Sequence, residues 1–355
     1  MNEQAVMVQH SLDAAQAANL LDGLGVKGKL APAITPSAVA AKPAALPDGL
    51  DKAGLAFLAD PRVRIGVSLV SSGNVRNLVA YGAGDGSPLV GFTPSGTERY
   101  SLAMPLAPDH MTALLVTGLG LEQDIAQLPL ATTLDSEGLL ALAGFTDALR
   151  QRELEALLAR LPKPDSRVSL EEIYLRTLDG MVSGDARWTT GLLTQLFDRL
   201  PELDEEKLRQ GMLALQQIGW VTNSAGTNWM PTDAFALGSA HWQLPLAGAY
   251  LQLARVLNDS VETTDIVLLR MLGSVWLCRQ QGKQYTLEST SSSHLLSFLD
   301  NVLAGFTVLP QPDPVASAVE SVPAATRSRP RFCRKCGTPL ATDVRFCGAC
   351  GNAVS

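Results

Sequence analysis

Four cysteines near the C-terminus are the residues whose spacing points most directly to chemistry. Cys333 and Cys336 form one Cys-x2-Cys pair, and Cys347 and Cys350 form a second pair after ten intervening residues. Two-residue spacing lets both thiolates of a pair point to one centre, and the glycine after each pair lets backbone amides turn toward the sulfurs. Four sulfurs in tetrahedral geometry suit Zn²⁺. About 25 residues cannot bury a core that offsets their chain entropy, so we expect the metal to supply folding free energy.

Two other uses of four cysteines fit this segment less well. A thioredoxin-like redox pair needs a βαβ context, which the C-terminal segment lacks. An iron–sulfur cluster also uses four cysteines, but the symmetric Cys-x2-Cys-Gly pattern favours zinc.

The segment 331–352 resembles the short zinc ribbon found at the ends of many bacterial multidomain proteins. The resemblance lies in a repeated Phe-Cys-x-x-Cys-Gly, at Phe332–Gly337 and Phe346–Gly351, with Leu340 in the apolar slot between them. It implies one structural zinc ion held by Cys333, Cys336, Cys347 and Cys350, with no coordination position left open for a catalytic water. Such ribbons bind proteins or nucleic acids, and the resemblance does not distinguish the two.

Other motifs predict no second chemical site. Cys278 stands two residues from Trp276 in a predicted strand and is expected to be a buried apolar thiol. The histidines (His10, His110, His241 and His294) are scattered, without a cysteine or carboxylate at metal-ligand spacing. The segment 23–28 matches a dinucleotide fingerprint but enters a proline-rich stretch with no strand before it. Signatures of serine hydrolases, zinc proteases and kinases are absent from the sequence.

Charge is unevenly spread along the 355 residues. The formal charge is −7, and 46% of residues are hydrophobic, so most of the chain should fold. Residues 323–355 carry a net +5, which leaves −12 on residues 1–322. An acidic surface excludes nucleic-acid binding along the whole molecule. Five cysteines exclude a disulfide scaffold. Without a basic start and an apolar run, the N-terminus does not resemble a secretory signal, so we expect a cytoplasmic protein.

Proline and alanine content divides the chain at two places. Residues 26–47 and 309–330 are predicted to be linkers, because their prolines remove backbone donors and favour extended conformations. Before the first linker, residues 1–25 are predicted to contain a short amphipathic helix over 10–24. The helix either docks on a partner or on its own body, or is a frayed terminal helix. After the second linker, residues 331–355 form the zinc ribbon.

Two segments of the body are predicted to be related units, each a β-meander followed by a helix. The first covers 48–120, with four strands separated by glycine-containing turns. The second covers 236–308 and adds a preceding helix; Tyr285-Thr286-Leu287 in it aligns with Tyr100-Ser101-Leu102. An internal duplication explains the match, since two half-open sheets can each bury one face on helices between them. Chance similarity between amphipathic hairpins is the alternative.

The region between these units is predicted to be helical. Residues 121–164 form a helical connector, ended by Pro162 and Pro164. Residues 165–235 weakly resemble a winged-helix domain: a capping box at Ser169–Glu172 opens the first of three helices, and a hairpin follows the third. That third helix carries acidic residues at 204–206, and the hairpin has no Lys or Arg. We therefore expect a structural or protein-binding module rather than a DNA reader.

These observations predict an α+β multidomain protein, with two meander-plus-helix units around a winged-helix-like module and a tethered zinc ribbon. The expected function is a non-enzymatic adaptor that holds protein partners through its acidic body and basic ribbon. The alternative is a nucleic-acid-binding regulator, and an enzyme with a site assembled from distant residues is a third class. In the regulator, phosphates would meet six basic residues of the C-terminal segment, namely Arg327, Arg329, Arg331, Arg334, Lys335 and Arg345.

Overall fold

The computed structural model describes residues 7–32, 45, 47, 55–71, 73–96, 98–197, 200–224 and 228–309, and the backbone of 331–332 and 339–340. The chain divides into two compact units, Met1–Leu309 and Pro310–Ser355, and we call the first the body. Among the described residues, no helix is long and apolar enough to cross a membrane.

A ten-stranded antiparallel sheet forms the centre of the body. Its strands are β1 (Val8–Asp13), β2 (Val63–Ser71), β3 (Asn74–Gly82), β4 (Leu89–Pro94), β5 (Arg99–Leu106), β6 (Ala131–Asp135), β10 (Pro245–Leu257), β11 (Ser260–Met271), β12 (Ser274–Gln281) and β13 (Gln284–Thr290). A separate three-stranded sheet contains β7 (Val168–Ser169), β8 (Val221–Ser224) and β9 (Asn228–Pro231).

Eight α-helices occur in the described part of the body, together with a 3-10 helix over Ala56–Ala59. They are α1 (Ala14–Leu24), α2 (Pro108–Leu119), α3 (Ser136–Leu158), α4 (Leu170–Ser183), α5 (Thr189–Leu196), α6 (Glu205–Gln217), α7 (Ala236–Trp242) and α8 (Ser292–Phe306).

The order of strands in the large sheet is the same on both sides of its centre. The order is β1-β5-β4-β3-β2-β10-β11-β12-β13-β6, with β2 and β10 paired in the middle. On each side a four-stranded meander is followed outward by an edge strand from earlier in the chain. Each edge strand leads directly into a helix, α1 or α3, and each meander ends in another, α2 or α8.

One face of the sheet is covered by α2 and α8. Residues of β2 alternate between buried and partly exposed positions, so Val63, Ile65 and Val67 all point to this face. They pack in one apolar cluster with residues of α2 and α8, such as Leu115 and Leu299. Helices α2 and α8 therefore form the first helical layer of the body, over a continuous apolar face of the sheet.

The opposite face is covered at its two ends by different helices. Near β1, α1 and the 3-10 helix bury Leu20 and Leu58 against Phe92 and neighbouring residues. Near β6, α3 packs with α4, α5 and α6 over the strands β11 to β13. Every residue of α3 from Gly138 to Leu149 is buried, so this helix is the centre of the second layer.

Close helix contacts within the second layer depend on glycines of α3 and α6. A Cβ atom on Gly144 of α3 would lie 1.8 Å from Thr177 Oγ1 of α4. A Cβ atom on Gly211 of α6 would lie 2.4 Å from the Glu137 carbonyl oxygen of α3. Both distances are far below van der Waals contact, so neither helix pair could approach as closely with alanine at these positions.

The α+β class is confirmed, but three details of the predicted organisation are wrong. The two meanders form one continuous sheet through β2 and β10, not two half-open sheets. The expected helix over 10–24 begins at Ala14, and the residues before it form β1, which pairs with β5 because Leu12 is buried beneath α1. The first residues of the predicted 26–47 linker pack on the body, where Leu30 contacts Ala254 and Val256.

The predicted connector over 121–164 is also more than a connection. It supplies β6, the edge strand beside β13, and α3, which lies in the core. In the second unit, β14 (Arg331–Phe332) pairs antiparallel with β15 (Pro339–Leu340), with Arg331 opposite Leu340.

Candidate functional site

The predicted zinc ligands Cys333, Cys336, Cys347 and Cys350 lie outside the described residues. The side chains of Arg327, Arg329, Arg331, Arg334, Lys335 and Arg345 lie outside them as well.

The C-terminal end of α3 projects four leucines into solvent. Leu154, Leu157, Leu158 and Leu161 have exposed fractions of 37%, 72%, 83% and 63%. Leu154, Leu157 and Leu158 are spaced three and four residues apart on one side of α3, the arrangement that packs against another helix, and Leu161 follows the end of the helix. We call this set the leucine surface. Large exposed apolar patches on folded proteins are often interaction sites.

Helix α3 is held in place at both ends. Its first turn is capped by Asp135, whose Oδ1 accepts a hydrogen bond from Gly138 N at 2.7 Å. The helix ends at Leu158, and Arg160 beyond it has a φ of 52° in the left-handed region. Leu161 N then donates to the Ala156 carbonyl at 2.8 Å, as in a Schellman motif. The leucine surface is therefore presented by regular helix and a hydrogen-bonded end.

A groove runs along the leucine surface. Its volume is about 360 Å³, and its walls come from the end of α3, the segment 161–164 and the residues before β10. Leu154, Leu157 and Leu161 supply one apolar wall, and Leu244 belongs to the other. Leu272 lies beside Leu244, since its N–H donates to the Leu244 carbonyl at 2.9 Å, and it is also exposed. The apolar surface therefore extends across the groove.

Charges around the groove are mostly paired. Lys163 Nζ lies 2.9 Å from Glu153 Oε1, and Arg167 lies 2.8 Å from Asp165. Arg150, which lines the groove, and Arg160 form no ion pair in the described part of the chain. Residues 150–167 contain five basic and three acidic side chains, a net +2. The surface is therefore a small positive region on an acidic body.

Buried Asp147 fastens α3 to α5. Its exposed fraction is 0%, and its two carboxylate oxygens accept hydrogen bonds from Thr189 N and Thr190 N, both at 2.8 Å. These N–H groups belong to the first turn of α5, whose own N-cap residue, Trp188, makes no side-chain cap. Burial raises the pKa of Asp147, although the two backbone hydrogen bonds oppose that shift. Asp147 thus caps α5 from another helix.

The same junction holds Trp188 between two arginines. The guanidinium carbons of Arg150 and Arg176 lie 4.5 and 4.0 Å from the centroid of its ring. Arg150 also donates to the Arg187 carbonyl, and Arg176 pairs with Asp179 at 2.7 Å. Cation–π contacts of this kind contribute about 0.5–2 kcal/mol each. They fix the position of Arg150 at the edge of the groove.

Helix α6 presents an acidic surface. Glu202, Glu205 and Glu206 are exposed on it or just before it. Its two basic residues are already paired, Lys207 with Asp204 at 3.3 Å and Arg209 with Glu206. Phosphate contacts need unpaired cations, so this helix is unsuited to DNA.

Two further cavities occur in the body. A groove of about 720 Å³ lies between α8 and the ends of β10 to β12, and its arginines Arg255 and Arg279 are paired with Glu262 and Glu288. A cleft of about 250 Å³ lies on the other face of the sheet, where Arg64 donates to Gln252 at 2.6 Å. Their charged groups are satisfied internally, so neither shows a free recognition group.

The other candidate residues lie as expected for structural side chains. Cys278 is buried, as predicted, and burial raises its pKa to about 12. Burial, and to a smaller extent the charge of Arg270, lowers the pKa of His241. Among the described residues, the structure brings together no group of three or more His, Cys, Asp or Glu side chains suited to a metal ion.

The leucine surface and Asp147 were not predicted from the sequence. The helix ending at Leu161 was expected to expose arginines and glutamates, but the stretch LEALLARL also continues its apolar period beyond the last buried residue. Asp147 stands alone in an otherwise uncharged run from 138 to 149, which is the signal of a buried acid with a specific partner.

Comparison with known proteins supports the prediction for one part of the chain. Residues 332–354 match the family model of a zinc-ribbon domain, which confirms the predicted ribbon and implies zinc binding at the C-terminus. No curated protein matches the chain. The chain resembles one chain of the "Structure of the Mycobacterium tuberculosis type VII secretion system chaperone EspG5 in complex with PE25-PPE41 dimer", with 11% identity and a TM-score of 0.41, over 83% of this chain and 96% of that chain. A similarity at that level supports no inference about function.

Proposed function

We propose that the protein is a non-enzymatic adaptor that binds protein partners through its body and through its zinc ribbon. The observation that carries the proposal is the leucine surface at the end of α3, since a folded body rarely leaves four neighbouring leucines exposed without a partner. Acidic α6 makes a nucleic-acid partner unfavourable for the helical module.

The zinc ribbon supplies the second contact in this proposal. Cys333, Cys336, Cys347 and Cys350 would hold one structural Zn²⁺, because four thiolates in two knuckles satisfy its preferred tetrahedral geometry. Residues 309–330 would act as the linker. Two linked weak contacts bind more tightly than either alone, without any catalytic group.

A capture experiment with Cys347→Ser tests the proposal. We expect this variant to lose ribbon-dependent partner capture while tryptophan fluorescence reports an unchanged body, since all five tryptophans lie between residues 188 and 276. The matched control is Cys278→Ser, which changes a buried thiol of the body. If Cys347→Ser also lowers the thermal transition of the body, the ribbon is integral to the fold and the adaptor proposal is wrong.

A nucleic-acid-binding regulator is the second candidate, favoured by the six basic residues of the C-terminal segment. Binding through phosphates would weaken steeply with salt, in proportion to the number of neutralised phosphates. A filter-binding slope near zero against the logarithm of salt concentration would exclude it.

Two finer points of architecture belong to the same proposal. The mirrored strand order and the position of Tyr100 and Tyr285, each the second residue of its strand, support an internal duplication of an edge strand, a helix, a meander and a final helix. The sheet order β7-β9-β8 beside α4, α5 and α6 supports a winged-helix-like module used for structure rather than for DNA. Reduced thiolates at the zinc site fit a cytoplasmic location.

A further inference from the structure

The leucine surface has the shape of a site for a helix. Leu154, Leu157 and Leu158 lie on the last turns of α3 and Leu161 follows them, and the groove beside these leucines is bounded on its far side by Leu244. Another helix packs into such a groove through apolar residues spaced three and four apart. An extended strand would need free backbone donors and acceptors, and the end of α3 has its backbone groups paired.

The charges at the groove indicate the sign of the charge that the partner carries. Lys163 and Glu153 neutralise each other, and Arg160 forms no ion pair among the described residues. Arg150 forms no ion pair there either, although the charges of Asp147 and Asp185 act on it. Residues 150–167 carry +2, whereas the rest of residues 1–322 carries −14. A basic partner would be drawn to the acidic remainder of the body, and an acidic partner would be drawn to this region.

From these contacts we propose that the leucine surface binds an acidic amphipathic helix of a partner protein. The apolar stripe of that helix lies in the groove, and its carboxylates face Arg150 and Arg160. This inference rests on the proposed adaptor function and names the chemistry of the partner that the body recognises.

Fluorescence anisotropy with synthetic peptides and the full chain tests the inference. The probe is an 18-residue amphipathic peptide with leucines at positions i, i+3, i+4 and i+7 and glutamates beside them. A second peptide carries lysine in place of every glutamate. We expect the glutamate peptide to bind more tightly than the lysine peptide, and the difference to shrink as salt is added.

Substitutions identify the surface that binds. Leu157→Ser should weaken the binding of the glutamate peptide by about tenfold or more, because it removes an apolar contact in the groove. Arg160→Glu should weaken the binding of the glutamate peptide and strengthen the binding of the lysine peptide. Leu175→Ser is the matched control, since Leu175 is a helical leucine on α4 with an exposed fraction of 56%. It should leave both affinities unchanged.

Four results would overturn the inference. The first is a lysine peptide that binds at least as tightly as the glutamate peptide, and the second is no binding of either peptide. The third is a loss of binding in Leu175→Ser as large as that in Leu157→Ser. The fourth is a dimer in sedimentation that Leu157→Ser dissociates, which would assign the surface to a second copy of the chain. Failure of the adaptor proposal is a separate result, because it appears as partner capture that Cys347→Ser does not change.

Discussion

Replacing Asp147 with alanine tests how the helical layer is held together. The substitution removes the acceptor of two buried N–H groups, those of Thr189 and Thr190. Each buried donor left without a partner costs about 1–3 kcal/mol. Relief of the desolvated carboxylate offsets part of that cost. We therefore expect Asp147→Ala to lower the free energy of unfolding by about 3 kcal/mol, to be compared with the loss of an ordinary helix cap, about 1 kcal/mol.

Urea titration followed by tryptophan fluorescence measures this loss. Every tryptophan belongs to the body, and Trp188 is the residue before α5, so the signal reports the affected region. For an m-value of about 3 kcal/mol/M, the midpoint should fall by about 1 M. Glu153→Gln is the control, because Glu153 forms an exposed pair with Lys163 and such pairs contribute less than about 1 kcal/mol. A loss for Asp147→Ala no greater than that of the control would refute the reasoning.

The pH dependence of Asp147→Asn gives an independent check. Burial raises the pKa of Asp147, so the native state keeps its proton at a higher pH than the unfolded chain does. The stability that the raised pKa of Asp147 contributes is present below the ordinary pKa of 3.8. It is lost as the pH rises through the native pKa. Asparagine does not titrate. The stability difference between wild type and Asp147→Asn should therefore narrow between pH 4 and pH 8, and a widening would show that the pKa is not raised.

Three other expectations concern single side chains. Cys278 should resist iodoacetamide at pH 8 until the body is unfolded, because its pKa is about 12, and rapid labelling of the native protein would contradict its burial. Because the pKa of His241 is lowered in the native state, its contribution to stability is present above its ordinary pKa of 6.5 and is lost as the pH falls from there through the native pKa. His241→Gln should remove this loss of stability below pH 6.5, and an unchanged profile in thermal unfolding would contradict the lowered pKa. Trp276→Ala should lower the free energy of unfolding in urea by about 3–5 kcal/mol, because Trp276 is fully buried against Trp220 and Trp242. A loss below about 1 kcal/mol would show that the tryptophan cluster does not join the helical layer to the sheet.

The local elements of the body are largely predictable from the sequence. The capping box at Ser169 is present, with Glu172 N donating to Ser169 Oγ at 3.2 Å and Ser169 N donating to Glu172 Oε2 at 2.6 Å. Strands of the first meander also begin and end near the expected turns. These features depend on neighbouring residues, whose chemistry the sequence displays directly.

Long-range pairing is what the sequence does not display. The pairing of β2 with β10 joins Val63 to Arg255, across more than half of the chain, and no local pattern encodes it. Residues of β1 resemble the start of a helix in sequence, because a six-residue edge strand with one buried residue has almost no period-2 signal. The leucine surface was missed for a related reason, since the apolar period of α3 continues past the point where neighbouring elements cover it.

The central claim is that the protein consists of an independent zinc-folded ribbon and a partner-binding body. The most direct test measures the zinc content and the stability of the body together on the full chain. Native mass spectrometry should find one zinc ion per chain. Removal of that ion by a chelator should expose four reactive thiols and leave the tryptophan-reported unfolding of the body unchanged. A chain without zinc, or a body whose unfolding midpoint falls when the zinc is removed, would contradict the account.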